Sequence, residues 1–336
     1  AGKQSSLSEE CALQKKIAER IGISVFTDLP HREYTVVTDA LFGVGLSREI
    51  SGKYADIINW MNEQDCRKVA VDIPSGVCAR TGRILGTAFR ADLTVCMECV
   101  KLGCELFPGK ACAGETVAAP IGINKDIFKD NTDVCFTYDK EELPLLLPKR
   151  SVDSHKGSYG KVLMITGSSG MAGACFLSAK AAYSAGAGLV QIYTAEENRQ
   201  VIQQLLPEAV VSCYSGYDEA QLAGLLKWAD VVCIGCGLGK SATSEQILIH
   251  TLKEADVPCV IDADGLNLLS GYTELLKRSS APLILTPHMM EMSRLTGKSV
   301  EEIKTDRMEI LRAFVGEYPV VCALKDRRTA VAQGGR

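Results

Sequence analysis

No apolar run in this 336-residue sequence approaches the roughly 18 residues of a membrane helix, which excludes a hydrophobic helical span within it. The polar start AGKQSSLSEE lacks the charged-then-apolar layout of a signal peptide, so a cytoplasmic protein without a membrane partner is expected. Basic tracts and repeats are missing and the formal net charge is −4, which removes the electrostatic footprint of a nucleic-acid binder. The expected partner is a small molecule. Histidine is scarce, with His31 alone before residue 145, and G-x-S-x-G spacing is absent, so a serine-hydrolase role for Ser75 has no support. The loop GSSGMAGA passes Gly167, Gly170 and Gly173 into Ala174 and Cys175 without a lysine, so it is not a phosphate-cradling G-x-x-x-x-G-K-[ST] loop.

What is present is ordinary globular composition, 46% hydrophobic and 23% charged, over a length that favours two domains with a core each. Fourteen cysteines lie mostly in apolar strand-like runs such as DVCFTY, VVSCY and VVCALK, where free cysteine serves as a small hydrophobe. Cys96 with Cys99, and Cys233 with Cys236, have C-x-x-C spacing that could bind zinc or cycle as a disulfide. No histidine cluster accompanies either pair, and core packing is the expected role.

Short β-branched runs alternate with helical patterns, as in KVLMITG, GACFLSAKAAYSAGAG, LVQIYT and NRQVIQQLLPE, the signature of βαβ units on a parallel sheet. In the first half YTVVTDALF and KVAVDIP flank the helical SGKYADIINWMNEQ, and each run ends in a glycine loop. The segment EELPLLLPKRSVDSHKGSYG interrupts the pattern with proline, charge and glycine, which places a boundary at about residue 145 and gives domains 1–145 and 146–336. The sequence starts on a helix, CALQKKIAERIG, with no strand before it, and its last strand pair, VVCALK and TAVAQ, has no closing helix. A sheet ending so would leave one face under-covered, and a chain cut at both ends is expected.

Ligands of such sheets sit at the carboxyl ends of the strands, so the strand-end loops carry the candidate chemistry. In the first domain these are DALFGVGLSREI and VDIPSGV. Asp39 with the glycines 43 and 45 suits close approach to a phosphate or ribose, but taken alone Asp39 and Asp72 are more simply read as helix caps or turn formers after a strand. Pro74, Ser75 and Gly76 are read as a rigid turn exposing a hydroxyl beside Asp39 and Asp72, hard oxygens suited to an alkali or alkaline-earth cation. In the second domain GSSGMAGA, IGCGLGKS, IDADGLNLL and LTPHMMEMSRLTG end successive strands and should converge on one cleft. GCGLG places its third glycine wrongly for a G-x-G-x-x-G fingerprint. His288, Glu291 and Arg294 supply donors and acceptors for a polar ligand, or else a capped strand end and a solvated Glu291–Arg294 ion pair.

Taken in order, VVTDALFGVGLSREI, VDIPSGV, HKGSYGKVLMITGSSGMAGA, GCGLGKS, IDADGLNLL and LTPHMMEMSRLTG strongly resemble the bifunctional NAD(P)H-hydrate repair enzymes over nearly the whole chain. The resemblance implies an α/β chain of two three-layer α/β/α domains, an N-terminal Rossmann-like epimerase and a C-terminal ribokinase-like dehydratase. It implies epimerisation of the R and S hydrates NADHX and NADPHX, then dehydration of the S form at the expense of ADP (or ATP), with potassium, magnesium and a homo-oligomeric state. Asp39 and Ser75 match the family's potassium ligands, and Gly43, Val44, Gly45, Leu46, Ser47, Arg48, Glu49 and Asp72 its hydrate-binding positions. In the second domain Ala174, Gly239, His288, Met289, Met290, Glu291, Met292, Ser293 and Arg294 match hydrate-binding positions. Lys325, Asp326, Arg327, Arg328 and Thr329 match the nucleotide-contacting loop.

The family's Asn-Asn-Gly-Gly-Asp loop is not found before Asp39, nor is its Gly-x-Gly-Asp motif, whose aspartate acts as the base, found after Thr329. Both are expected to lie outside residues 1–336. Asp326 stands where the family usually has glycine, and Arg327 and Arg328 are the expected offset to its charge. A ribokinase-like small-molecule kinase and a catalytically inactive dinucleotide-binding protein are the competing readings.

Overall fold

The computed structural model describes residues 7–26, 29, 32–129, 131, 134–138, 140–147 and 149–334. The chain divides into two compact units, Ala1–Cys135 and Phe136–Arg336. This division falls before the boundary read near residue 145. Arg150 stacks 4.2 Å from the Tyr159 ring and donates to the Gly186 carbonyl at 3.0 Å, which ties the proline-rich segment to the second unit.

The first unit is a parallel sheet of four strands in chain order, β1 (Val36–Asp39), β2 (Arg67–Val71), β3 (Leu93–Met97) and β4 (Glu115–Ala119). Helix Lys53–Glu63 crosses from β1 to β2 and buries Ile57, Ile58 and Met61, which repeat at helical spacing. These side chains pack with Val37, Ala70 and Phe89. A second cluster of Ile73, Val77, Cys96 and Cys104 fills the space beneath the loops that follow β2 and β3. Side chains alternate along a strand, so Asp39 shares the buried face of β1 with Val37 and carries a carboxylate into the interior. The expected helix at the start is Glu9–Arg20, capped by the Ser8 hydroxyl accepting from the Cys11 N–H at 3.2 Å, and it buries no residue.

The second unit is an eight-stranded sheet in the order β12-β11-β10-β9-β8-β5-β6-β7. Its strands are β5 (Lys161–Ile165), β6 (Leu189–Ala195), β7 (Val210–Tyr214), β8 (Val231–Ile234), β9 (Cys259–Ile261), β10 (Leu283–Leu285), β11 (Val320–Leu324) and β12 (Ala330–Gln333). All pair in parallel except β12, which runs antiparallel to β11. The chain starts at β5, builds outward through β6 and β7, and returns to add β8 on the other side of β5. That reversal is the topological switch point, where open α/β sheets form a crevice.

Residues of β5 show why this is a three-layer unit. Leu163 and Ile165 join Leu222, Ile247, Leu266 and Leu311 on one face, whereas Met164 joins Cys175, Ala179 and Ile202 on the other. The second helical layer covers β5 to β7 but fades across the sheet, for Val260, Ile284, Val321 and Ala323 are only half-buried. The helical cover on this side is thus thinner over β9 to β11 than over β5 to β7. Among the described residues no helix is long and apolar enough to cross a membrane.

All fourteen cysteines are free thiols, and six of them are buried. Cys11, Cys99 and Cys135 are exposed, so the expectation of core packing fails for these three. Of DVCFTY, read as a strand, the described residues 134–138 form no strand.

Candidate functional site

In the first unit the site is built at the ends of β1 and β2. Asp39 is fully buried and is held from three directions. Its Oδ2 accepts the Ser75 N–H at 2.6 Å, and its Oδ1 accepts the Ser75 hydroxyl at 2.7 Å and the Leu41 N–H at 3.2 Å. Burial pushes the Asp39 carboxyl up, and the hydrogen bonds from Ser75 and Leu41 offset only part of that rise. The Ser75 oxygen in turn accepts the Phe42 N–H at 2.9 Å and lies 3.4 Å from the Phe42 carbonyl. The turn was read as exposing this hydroxyl. Ser75 is in fact 1% exposed, because the buried carboxylate draws it inward. Gly76 makes the turn possible at φ +91°, where a Cβ would meet the Thr87 carbonyl at 1.9 Å.

Asp72 has φ +72°, a left-handed conformation that costs a non-glycine residue about 1 kcal/mol or more. Strain of this kind persists only where surrounding contacts impose it. Asp72 Oδ1 accepts the Met97 N–H at 3.1 Å and pairs with the Lys101 ammonium, which also donates to the Met97 carbonyl at 2.7 Å. Gly43 lies beside the same carboxylate, since a Cβ there would stand 3.8 Å from Asp72 Oδ2. The loop through Val44, Gly45, Ser47, Arg48 and Glu49 is exposed, while Leu46 packs partly against the core. Sequence reasoning missed Lys101. Its one available signal is its place just beyond β3, the strand adjacent to β2.

In the second unit the loops after β5 and β8 are stitched together across the switch point. Gly167 N–H donates to the Cys236 carbonyl at 3.0 Å, and Ser168 N–H to the Gly237 carbonyl at 2.6 Å. A Cβ on Gly237 would lie 2.7 Å from the Ala174 Cβ, and one on Gly239 would lie 3.0 Å from the Ser168 hydroxyl. Ala174 and Gly239 therefore belong to one surface. The loop after β9 joins them, for Asp264 Oδ2 accepts the Gly239 N–H at 3.0 Å.

Asp262 links the remaining loops. Its Oδ1 accepts from the Lys325 ammonium at 2.6 Å and from the Thr286 hydroxyl at 2.8 Å, and the Cys236 thiol lies 3.8 Å from its Oδ2. Burial pushes the Asp262 carboxyl up, but the bonds from Lys325 and Thr286 and the Lys325 charge outweigh it, leaving the group below its ordinary range. Lys325 N–H also donates to the Pro287 carbonyl at 2.7 Å, which docks the start of the 325–329 loop against His288. Ala263, between the two aspartates, is held at φ +49°.

His288 caps helix Met289–Thr296. Its Nδ1 accepts the N–H groups of Met290 at 3.0 Å and Glu291 at 3.2 Å, while Glu291 Oε2 accepts the His288 N–H at 2.8 Å. Because Nδ1 accepts, Nε2 carries the proton of the neutral ring, 3.3 Å from Glu291 Oε1. The capping reading of His288 therefore holds, but the solvated Glu291–Arg294 pair does not form: Glu291 is 4% exposed, and Arg294 instead donates to the Asn267 side chain at 2.5 Å. Met292 is fully buried, so its side chain faces the core and not a ligand. Met290 and Arg294 are exposed, and Met289 and Ser293 half-buried.

A cavity of about 580 Å³ is lined by His288, Met289, Met290, Val300, Lys325 and Asp326. Arg307, from the start of helix Arg307–Glu317, pairs with Asp326 and offsets the charge for which Arg327 and Arg328 were expected. Asp262, Asp264 and Arg307 were all missed as site residues. Asp262 and Asp264 stood inside a quoted strand-end loop, and that was their signal. Arg307 had none. Among the described residues no group of three or more His, Cys, Asp and Glu side chains is placed to hold a metal ion.

Comparison with known proteins separates the chain along the same lines. Residues 1–103 match the YjeF-related protein N-terminus, and residues 162–336 match the family described as NAD(P)H-hydrate dehydratase. The bifunctional NAD(P)H-hydrate repair enzyme Nnr of Thermofilum pendens is 34% identical over 307 residues, covering 89% of this chain and 58% of the relative. The chain thus spans less than two thirds of that relative's length. A ribokinase-like superfamily protein from Enterococcus faecalis superposes with a TM-score of 0.53 at 28% identity, covering 59% of this chain and 68% of that one. The ADP/ATP-dependent NAD(P)H-hydrate dehydratase of Bacillus subtilis, crystallised with ATP and magnesium, gives a TM-score of 0.50 at 32% identity, covering 57% and 67%. With more than half of its length matched to one family, behind a YjeF-related N-terminal region, this chain belongs to the NAD(P)H-hydrate dehydratase family.

Proposed function

We propose that the protein repairs hydrated nicotinamide dinucleotides, epimerising NADHX and NADPHX in the first unit and dehydrating the S form in the second at the expense of ADP or ATP. The observation that carries this reading is the run of hydrogen bonds that links loops from five strand ends, through Gly167–Cys236, Gly239–Asp264, Thr286–Asp262 and Lys325–Asp262, with Lys325 over a cavity shared with His288. The loops of Ala174 and Gly239 present small residues and backbone where an extended dinucleotide needs close approach. The Lys325 ammonium is a point charge for phosphate oxygens, and Asp262 with Thr286 holds it in place before a ligand arrives. The His288 ring, held by its own helix cap with Nε2 beside Glu291 Oε1, offers an exposed face of the cavity wall to the hydrate.

In the first unit Asp72 and the 43–49 loop form the hydrate site. Asp39, Ser75 and the Phe42 carbonyl form an all-oxygen set that fits potassium, since a fully buried carboxylate gains most from a cation. Magnesium fits as a metal that arrives on the nucleotide phosphates, which needs one or two carboxylates from the protein, and Asp262 and Asp326, on either side of Lys325, are carboxylates that would serve. When bound, magnesium supplies positive charge that eases transfer of a phosphoryl group to the ring hydroxyl and its loss as phosphate. A cytoplasmic homo-oligomer acting on small molecules completes the proposal.

The test uses the protein from its complete reading frame, alongside residues 1–336, with both hydrate epimers, magnesium and ADP or ATP. Nucleotide-dependent recovery of dihydronicotinamide absorbance is expected from the complete frame. A stable phosphorylated hydrate would instead support a kinase, and binding without turnover a dinucleotide-binding protein.

A further inference from the structure

Arg307 is 4% exposed, one of three buried charged side chains among the described residues. Its Nη2 donates to Asp326 Oδ2, while its Nε and Nη1 are buried without a hydrogen-bond partner. A buried guanidinium left with unused donors is costly, and its carboxylate partner is what keeps it in place. That partner is not itself buried: the Asp326 side chain is 29% exposed and lines the cavity next to Lys325. The first two residues of the 325–329 loop therefore carry opposite charges, each paired outside the loop, Lys325 to Asp262 and Asp326 to Arg307. Unpaired, the Asp326 carboxylate would face any polyanion bound at Lys325 and repel it.

We propose that Arg307 is a positioning residue for the nucleotide. It neutralises Asp326 and pins the 325–329 loop to the start of helix Arg307–Glu317, so that a nucleoside di- or triphosphate is accepted beside a carboxylate. This rests on the nucleotide reading of that loop. It separates charge from shape: removing Arg307 penalises a ligand in proportion to its phosphates and spares the nucleoside.

Calorimetry on the complete chain in magnesium buffer, with adenosine, ADP and ATP as probes, tests this. Arg307→Met is expected to weaken ATP by about tenfold or more and ADP by less, and to leave adenosine within about twofold. Adding Asp326→Asn to Arg307→Met is expected to restore ATP affinity to within about threefold, because the uncompensated charge is gone. If Arg307→Met does not fold, Arg307→Lys keeps the charge without the fork, and its ATP-to-adenosine affinity ratio stays near that of the wild type. Equal weakening of adenosine and ATP, unrelieved by Asp326→Asn, overturns the proposal in favour of a scaffold role, and so does unchanged ATP affinity in Arg307→Met. A wild-type chain that binds none of the three probes defeats the nucleotide reading of the loop, and the inference with it.

Discussion

Ser75→Ala removes one hydroxyl, and the consequence follows from the contacts of Asp39. That fully buried carboxylate would lose its 2.7 Å donor and keep the Ser75 and Leu41 N–H groups, while the Phe42 N–H would lose its acceptor. A hydrogen bond to a charged group contributes about 1.5–3 kcal/mol, and a partly buried orphaned N–H costs about 1 kcal/mol more. The sum is about 3 kcal/mol, all of it in the first unit. Each unit carries one tryptophan, Trp60 in helix Lys53–Glu63 and Trp228 ending helix Glu219–Trp228, so urea unfolding followed in Trp228→Phe and Trp60→Phe backgrounds reports the units separately. With an m-value of about 2 kcal/mol/M the Trp60 midpoint should fall by about 1.5 M, with m unchanged and the Trp228 midpoint fixed. A loss below about 1 kcal/mol would refute the account of Asp39 as a carboxylate dependent on Ser75.

Lys101→Met should leave Asp72 without its counter-ion and slow hydrate epimerisation by about a hundredfold, followed by chromatography of the R and S forms. Potassium should raise the Trp60-reported midpoint of the wild type over the same concentration of a larger organic cation, and Ser75→Ala should lose that increment. Gly235→Ala, at φ +123° with its Cβ 2.0 Å from the Asp262 carbonyl, should destabilise the second unit by about 3 kcal/mol or more, read as the Trp228 midpoint. Asp262 binds its proton more weakly folded than unfolded, so its contribution is present above its unfolded value, about 3.9, and lost as pH falls through the lower folded value. Asp262→Asn should therefore flatten the acid limb of a stability–pH profile below about pH 5 and leave the neutral side parallel to wild type.

The parallel sheets and their loops were legible because their signals are local. Hydrophobic runs of strand length, glycine turns and helical spacing all sit within about ten residues. Contacts between loops were not. Asp39 ends β1 and Ser75 lies in the turn after β2, yet their bond spans 36 positions, and the Lys325–Asp262 bond spans 63. The direction a side chain takes from such a loop depends on the neighbouring strand, which is why the Ser75 hydroxyl turned inward against expectation. Met292 and Glu291 fell in a segment matched by resemblance, but helical phase buries both while Met290 and Arg294 stay exposed. Arg307 escaped notice because a charged residue at a helix start ordinarily faces water. Only the fold shows the carboxylate that draws it in. The glycine-to-aspartate departure at 326 was visible as a problem, and its solution lay 19 residues upstream.

The most direct test of the central claim compares the protein with its Lys325→Met variant, both from the complete reading frame, in recovery of dihydronicotinamide absorbance from S hydrate with magnesium and ADP or ATP. The account predicts recovery that requires nucleotide and falls by about a hundredfold or more in the variant, because the preset phosphate-facing charge is gone. Recovery without nucleotide, or at the same rate in Lys325→Met, would contradict it.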